Sequence, residues 1–231
     1  MKYRVFIGVG HGGVDPGAVG KLREADANLT IALELKRLLE AAGITVGISR
    51  TKNENDDINE EIREANAFKP DLAVEVHNNA GGGDGFEVFV QTNGYAAKSR
   101  ACASAIEAEV KAIGQKSRGL KTNSFGWTRL VNAPAVLLEG FFVDSADAYG
   151  FDTVAEQKAL AAAYARGVLK YLGVNGAVAK DAIDITIENA VKDIGMDSPA
   201  LWEDILRGRK TATPGNVKAL MDKYHKAVVS K

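Results

Sequence analysis

The sequence predicts an α/β fold in which a twisted, mostly parallel sheet is flanked by helices and followed by a small C-terminal helical module. Two observations lead to this prediction. Short apolar runs rich in β-branched residues alternate with longer segments whose apolar residues recur at helical spacing. The first predicted strand, helix and second strand also follow one another directly, which is typical of a parallel βαβ unit with a right-handed crossover.

The composition is that of an ordinary globular chain with room for one medium domain and a small appendage. The chain has 231 residues, of which 46% are hydrophobic, and a formal net charge of −1. These values argue against disorder and against broad electrostatic binding of nucleic acid. The longest apolar runs are far shorter than a membrane span, so no membrane insertion is expected. The single cysteine, Cys102, excludes an internal disulfide framework.

The first half of the chain contains two predicted strands that each run into a histidine. Residues 5–10, VFIGVG, form a buried strand that is interrupted by His11 and a glycine-rich loop. We interpret this run as the first strand, not a signal peptide, because no small-residue cleavage site follows it. A helix is predicted over residues 24–42, a strand over 44–49 and a helix over 58–68. Residues 71–76 form the next strand, which is followed by His77 and a second glycine-rich loop.

The second half begins with a predicted strand over residues 86–91 and a helix over 95–113, in which Cys102 falls on the apolar face and is expected in the core. Residues 114–132 are expected to form a long surface loop with one short strand. Residues 135–143, AVLLEGFFV, form the last strand. It carries Glu139 in an otherwise apolar run, and Gly140 is expected to mark the point at which regular pairing stops.

The end of the chain divides into three predicted parts. A helix over residues 153–172 closes a first domain that spans residues 1–172. Residues 173–180, GVNGAVAK, are interpreted as a linker. Residues 181–231 contain three short helical patterns, at 181–194, 199–208 and 214–229, and are predicted to form a small three-helix module that would be marginally stable alone.

Four polar residues are predicted to meet at one edge of the sheet. His11, His77 and Glu139 lie at or just beyond the carboxyl ends of predicted strands, and Glu24, at the start of the first helix, can reach the same place. Two imidazoles and one carboxylate are a common ligand set for catalytic zinc, and a further carboxylate could act as general base. Each residue alone has a simpler interpretation, as a turn histidine or a helix-capping carboxylate. Only Glu139, in a core strand, is costly to bury without a partner or a role.

A competing motif overlaps the first histidine. Gly8-Val9-Gly10-His11-Gly12-Gly13 matches the dinucleotide pattern G-x-G-x-x-G directly after a strand. That motif requires a helix that begins inside it, yet Pro16, Gly17 and Gly20 delay the helix to about residue 23. The second strand ends in Ser49-Arg50-Thr51, with no acidic residue for a ribose. Arg50 would suit a 2′-phosphate, which leaves NADP binding as an alternative.

At these residues the sequence resembles the zinc-dependent N-acetylmuramoyl-L-alanine amidases of the amidase-3 type. The resemblance covers about residues 3–172. It rests on a combination of segments: GHGGVDPGAVG at residues 10–20, EADANL at 24–29, SRT at 49–51, AN at 65–66, HNNA at 77–80, RGLK at 118–121 and PAVLLEGF at 134–141. Two positions depart from the family pattern. Glu75 stands where the family usually has serine, and Phe142-Val143-Asp144 replaces the usual Leu-Ser-Asn.

The resemblance implies a peptidoglycan hydrolase that cleaves the amide between N-acetylmuramic acid and L-alanine. It implies one Zn²⁺ ion bound by His11, Glu24 and His77, with Glu139 as the catalytic residue. Asn79 is interpreted as a substrate-binding residue or as one that positions the His77 loop. Two alternatives remain open, a catalytically silent wall-binding protein of the same fold and a zinc hydrolase of another amide.

The tail resembles the small helical modules that follow amidase domains in phage and prophage endolysins. Residues 181–231 are therefore expected either to anchor the protein to the cell wall or to pack and dimerise, so that the chain is a monomer or a dimer through this module. The resemblance implies peptidoglycan as the partner and a lysin that is made in the cytoplasm without a signal peptide and acts on the bacterial wall after release.

Overall fold

A computed structural model describes residues 3–55 and 57–174 of the chain. They form a six-stranded sheet with the order β2-β1-β3-β6-β4-β5. The strands are β1 Arg4–Val9, β2 Thr45–Ile48, β3 Leu72–Asn79, β4 Phe86–Val90, β5 Ser117–Thr122 and β6 Ala135–Phe142. Strands β2, β1, β3 and β6 are parallel to one another, whereas β4 runs antiparallel to β6 and parallel to β5. The predicted mostly parallel sheet is thus confirmed.

Helices cover both faces of this sheet and enclose two cores. They are α1 Glu24–Ala41, α2 Ile58–Phe68, α3 Ala96–Ala112, α4 Gly126–Leu130 and α5 Val154–Leu172, and a 3₁₀ turn spans Ala146–Gly150. The larger core joins one face of the sheet to α1, α3 and α5. The smaller core lies on the opposite face, beneath α2 and α4, and contains Phe6, Ile62 and Trp127. Because α2 and α4 cover only part of that face, the rest of it is available for a site.

Local sequence signals fix the ends of the longest helix. Thr153 and Glu156 form a capping box at the start of α5, and Gly173 ends the helix in the left-handed conformation. Within α5, Gly167 packs directly on α3, where an added Cβ would lie 2.4 Å from the Cα atom of Ile106. Cys102 on α3 is fully buried in the same core, as predicted.

Two predicted boundaries were wrong. Strand β3 does not stop at residue 76 but continues to Asn79, so that His77 lies inside the strand and not beyond it. Residues 114–132 are not a long surface loop with one strand: they contain β5 and also the five-residue helix α4, whose Trp127 is completely buried. The burial of this indole anchors a helix that is too short to show a periodic pattern in the sequence.

Gly140 lies where the pairing between β3 and β6 becomes irregular. His77 pairs with Glu139, but the next pair joins Asn79 to Phe142, so β6 contains one extra residue at this point. Regular pairing is interrupted near Gly140 as expected, although β6 itself continues to Phe142. An added Cβ at Gly140 would lie 2.6 Å from Oδ1 of Asn78.

Most of the predicted linker and the whole three-helix module, residues 175–180 and 181–231, lie outside the described residues. Among the helices that the structure describes, none combines the length and the apolar character needed to cross a membrane.

Candidate active site

Three of the predicted site residues come together at the carboxyl end of the parallel strands. His11 follows β1, Glu24 is the first residue of α1, and His77 lies near the end of β3. One donor atom from each lies within 4.8 Å of the others. Nε2 of His11 is 3.3 Å from one oxygen of the Glu24 carboxylate, and Nδ1 of His77 is 3.0 Å from the other. Two imidazoles that face a shared carboxylate are a donor set suited to zinc.

The loop after β1 has a backbone shape that few residues allow. His11 itself has a φ of 64°, in the left-handed region that non-glycine residues rarely adopt. Gly10 lies against the His77 ring, where an added Cβ would be 2.2 Å from Nε2. Gly17, with a φ of 62°, leaves space for Glu24, because a Cβ there would be 2.6 Å from the carboxylate. The glycines thus allow the two imidazoles and the carboxylate to approach.

The far nitrogen of each histidine faces a second carboxylate. Nδ1 of His11 is 2.8 Å from Oδ2 of Asp15, and Nε2 of His77 is 3.2 Å from Oε1 of Glu75. Such outer carboxylates fix the tautomer and the ring orientation of metal-binding histidines. From the sequence, Glu75 stood out only as a departure from a family pattern, and Asp15 had no predicted role. The available signal for Glu75 was the same as for Glu139, a charged residue inside an apolar strand.

The electrostatics of the cluster favour an ionised Glu24 beside protonated imidazoles when no cation is bound. Burial opposes ionisation of Glu24, but hydrogen bonds from His11, His77 and the Ala18 amide hold the pKa of its carboxyl well below the ordinary value. The hydrogen bond to Glu24 raises the pKa of His11. Burial opposes protonation of His77, yet hydrogen bonds to Glu24 and Glu75 raise its pKa well above the ordinary value. A bound cation would take the place of these protons and would be attracted by the same carboxylates.

Glu139 lies directly beside this cluster. It pairs with His77 across β3 and β6, so the two side chains lie on the same face of the sheet. Oε2 of Glu139 is buried and has no hydrogen-bond partner among the residues that the structure describes. Burial raises the pKa of the Glu139 carboxyl to about 7. A carboxyl group with this pKa can accept and return a proton near neutral pH.

A cavity of about 720 Å³ opens over these residues. His11, Glu24, Glu75, His77 and Glu139 line one side of it, and the first turn of α2 together with α4 forms the other. Trp127 lines the cavity with an indole N–H that has no hydrogen-bond partner among the described residues. The cavity is large enough for a section of a polymeric substrate.

Asn79 also lines the cavity, but both polar atoms of its side chain already have hydrogen-bond partners within the protein. Its Nδ2 donates to Oε1 of Glu87 at 2.6 Å, and its Oδ1 accepts from the amide of Ala80 at 2.8 Å. The bond to Glu87 ties the end of β3 to β4. A substrate-binding role for Asn79 stays a prediction.

The dinucleotide alternative does not fit this geometry. Helix α1 begins only at Glu24, well after the G-x-G-x-x-G segment, so the segment does not itself open a helix as the dinucleotide motif requires. The Arg50 guanidinium is buried and donates to the carbonyl oxygens of Val9, Gly10 and Ala25. Arg50 therefore stabilises the backbone that leads into His11 through hydrogen bonds to its carbonyl oxygens.

Comparison with known families settles the relationship. The model of the Amidase_3 family, described as N-acetylmuramoyl-L-alanine amidase, matches residues 5–170. The chain belongs to this amidase family.

Individual amidases support the assignment. A sporulation-specific N-acetylmuramoyl-L-alanine amidase of Bacillus subtilis is 36% identical over 170 residues, which cover 71% of the chain and 66% of that protein. An endolysin of Bacillus phage SPP1 is 34% identical over 155 residues, 64% of the chain and 57% of the endolysin. The chain therefore spans about two thirds or less of the length of these two relatives.

The same fold occurs in solved amidase structures. An N-acetylmuramoyl-L-alanine amidase from Clostridium difficile 630 superposes with a TM-score of 0.71 at 30% identity, and the match covers 76% of this chain and 99% of that one. The catalytic domain of the amidase CwlV from Bacillus (Paenibacillus) polymyxa gives a TM-score of 0.70 at 29% identity, with coverages of 76% and 100%. The described part of the chain thus has the fold of an amidase catalytic domain.

Proposed function

We propose that this amidase hydrolyses the amide bond between N-acetylmuramic acid and L-alanine in peptidoglycan. The observation that carries the proposal is the placement of His11, Glu24 and His77 around a common point, with Glu139 beside them at the wall of a large cavity. The family and the named activities of its relatives support this choice of bond.

We further propose that the three-residue cluster binds one zinc ion. The donor chemistry fits, because each histidine directs one nitrogen at Glu24 and the other at an outer carboxylate. When bound, zinc supplies a Lewis acid that lowers the pKa of water towards 7 and polarises a carbonyl oxygen.

The chain's own residues perform the proton transfers in this proposal. Glu139 accepts the proton of the attacking water and returns it to the nitrogen of the leaving amine, so the carboxylate is regenerated at the end of the cycle. Its burial keeps its pKa near the range in which both transfers are possible. Asp15 and Glu75 orient His11 and His77, and α2 and α4 form the facing wall of the cavity.

The test is a product analysis on isolated peptidoglycan with the full chain. We expect new amino termini of L-alanine, loss of this release after chelation, and its recovery when zinc is added back. New reducing sugar ends would instead place the cut at a glycosidic bond and contradict the proposed chemistry. Stoichiometric zinc with no release of either product would favour the silent wall-binding alternative or another amide substrate.

The biological setting is a separate proposal. The similarity to the endolysin of phage SPP1 supports a lysin that is made in the cytoplasm and acts on the wall after release. Co-expression with a membrane-permeabilising protein tests this setting, since lysis should require both the pore and an intact Glu139.

A further inference from the structure

A second charged cluster lies on the same face of the sheet, one strand beyond Glu139. Its centre is Glu87 on β4, whose exposed fraction is only 5%. Glu87 pairs directly with Glu139 across the antiparallel β4 and β6 strands. Because paired residues project from the same face, the Glu87 carboxylate lies beside the catalytic carboxylate and not on the opposite, helix-covered face.

Glu87 holds two cationic side chains in place. Its Oε2 accepts hydrogen bonds from Nε of Arg118, at 2.8 Å, and from Nζ of Lys121, while its Oε1 accepts from Asn79. Burial opposes ionisation of Glu87, but the hydrogen bonds from Lys121 and Arg118 hold the pKa of its carboxyl below the ordinary value. Glu87 therefore stays ionised and fixes both cations by charge-assisted hydrogen bonds.

The cluster carries one more positive charge than negative charge, and it is open to solvent. Glu87 bonds Arg118 only at Nε. The two terminal nitrogens of Arg118 make no hydrogen bond to any residue that the structure describes. The Arg118 guanidinium also lies over the ring of Phe142, 5.0 Å from the centroid. The side chains of Arg118 and Lys121 are each 37% exposed. A held guanidinium with two free terminal nitrogens suits bidentate binding of a carboxylate.

The position of the cluster suggests which carboxylate it binds. Lys121 pairs with Phe89, which in turn pairs with Leu137, so β5 presents this lysine on the face that carries Glu139. Neighbouring strands are about 4.8 Å apart, and both cations reach back from β5 to Glu87 on β4, so they lie roughly 5–10 Å from the strand of Glu139. An extended peptide covers about 3.3–3.6 Å per residue, so this range corresponds to between about one and a half and three residues.

We propose that Arg118 and Lys121 form a specificity subsite for a free carboxylate on the substrate peptide, about two residues from the scissile amide, and that Glu87 is their positioning residue. The subsite deepens the proposed function and rests on it for the orientation of the peptide. It predicts that a stem peptide with a free carboxylate at this place is preferred over one in which that group is a carboxamide.

The experiment compares two muramoyl dipeptides that differ only in the α-group of the second residue, a D-glutamic acid linked through its γ-carbon. In one peptide this group is a carboxylate and in the other a carboxamide, and both have the γ-carboxyl blocked as a methylamide. Binding is measured by calorimetry with the zinc-loaded, full-length Glu139→Gln protein, so that no turnover interferes. We expect the carboxylate form to bind about 10- to 100-fold more tightly, the range for a hydrogen bond to a charged group.

Matched variants in the same background locate the effect. Arg118→Gln should remove most of the preference by weakening only the carboxylate form, and Arg118→Lys should keep part of it. Lys116→Gln removes a nearby charge that is paired with Asp84 and 64% exposed, and should leave the preference unchanged. If Arg118→Gln unfolds at a lower temperature than its parent, Lys121→Gln provides the same comparison.

Equal affinity for the two peptides in the parent protein would overturn the subsite. So would an undiminished preference in both the Arg118 and the Lys121 variants. Because these are binding data, they are independent of whether the wild-type chain releases L-alanine amino termini from peptidoglycan. Failure of that hydrolysis would count against the proposed function, and failure of the discrimination would count against the subsite alone.

Discussion

Glu139 lies in a core strand, one of its oxygens has no partner in the described residues, and it adjoins a histidine of the candidate metal site. Glu75 shares these properties, but its other oxygen faces Nε2 of His77. A buried, unpaired carboxyl group costs free energy, so its presence is best explained by a use in catalysis.

We expect Glu139→Gln to lower kcat by about 10²- to 10⁴-fold, the usual contribution of general acid–base catalysis, with one zinc still bound. Glu64→Gln is a matched control, because Glu64 is exposed on α2. Hydrolysis of isolated peptidoglycan and metal analysis of the same samples check both parts. Undiminished hydrolysis would remove Glu139 from the mechanism.

The raised pKa of Glu139 also predicts a pH dependence. Burial moves this pKa from the ordinary value near 4.5 to about 7, so the basic form is lost as the pH falls below 7. A bound cation lowers the pKa again, and we therefore expect an acid limb of unit slope in log kcat/KM with its midpoint between these two values. A pH profile of the zinc-loaded chain measures it. A rate that stayed constant from pH 7.5 to 4.5 would contradict this role.

The outer carboxylates should control metal affinity. We expect Glu75→Gln to weaken zinc binding by about 10- to 100-fold, because a neutral amide oxygen is a weaker acceptor than a carboxylate for the far nitrogen of His77. Competition with a chelating indicator measures this affinity. Asp84→Asn, at a carboxylate that pairs with Lys116 on the surface, is the control and should leave it unchanged. Equal affinities in the two variants would show that Glu75 does not support the site.

At the residue scale, the sequence was informative wherever a polar side chain interrupted a buried strand or followed it. That is why His11, Glu24, His77 and Glu139 could be grouped from the sequence alone. Glu87 gives the same signal, a charged residue inside the apolar strand FEVFV, but no histidine follows that strand, so the sequence did not connect it to the other four. Only its hydrogen bonds to β5, a strand 30 residues later that the sequence left inside a loop, give it a role.

At the scale of elements, the predictions succeeded where end signals were explicit. Helix α2 has the predicted limits, with Asp57 as a side-chain cap at its start, and α5 begins at the Thr153 capping box. The failures have a common cause. The extension of β3 through His77 and the formation of α4 depend on packing against distant segments, which local patterns do not report.

The extra residue in β6 provides a test at this scale. We expect Gly140→Ala to destabilise the fold by about 1–3 kcal/mol, as overpacking usually does, and to lower kcat by displacing the neighbouring Glu139. Gly94→Ala is the control, since no atom lies within 4 Å of the added methyl group. Urea unfolding and hydrolysis assays measure the two effects. Equal stability and activity in both variants would contradict a structural constraint at Gly140.

At the scale of the whole chain, the catalytic fold occupies the matched residues 5–170, and the predicted module at 181–231 stays a prediction. We expect a chain that ends at residue 174 to retain hydrolysis of soluble muramoyl peptides but to sediment less with isolated walls. Pelleting assays of both lengths at equal zinc content measure this difference. Equal sedimentation would favour a packing or dimerisation role, which the molar mass of the two proteins in solution would then reveal.

The three side chains of the proposed zinc site come from separate segments, a loop, a helix start and a strand, that meet only in the folded protein. Zinc bound by all three, as proposed, would favour the native state over the unfolded chain. At a free zinc concentration 1,000 times Kd, mass action adds about 4 kcal/mol to a stability that is typically about 5–15 kcal/mol. Metal supply would thus affect how long the protein survives in the presence of proteases, because without zinc the chain would open more often and be degraded sooner.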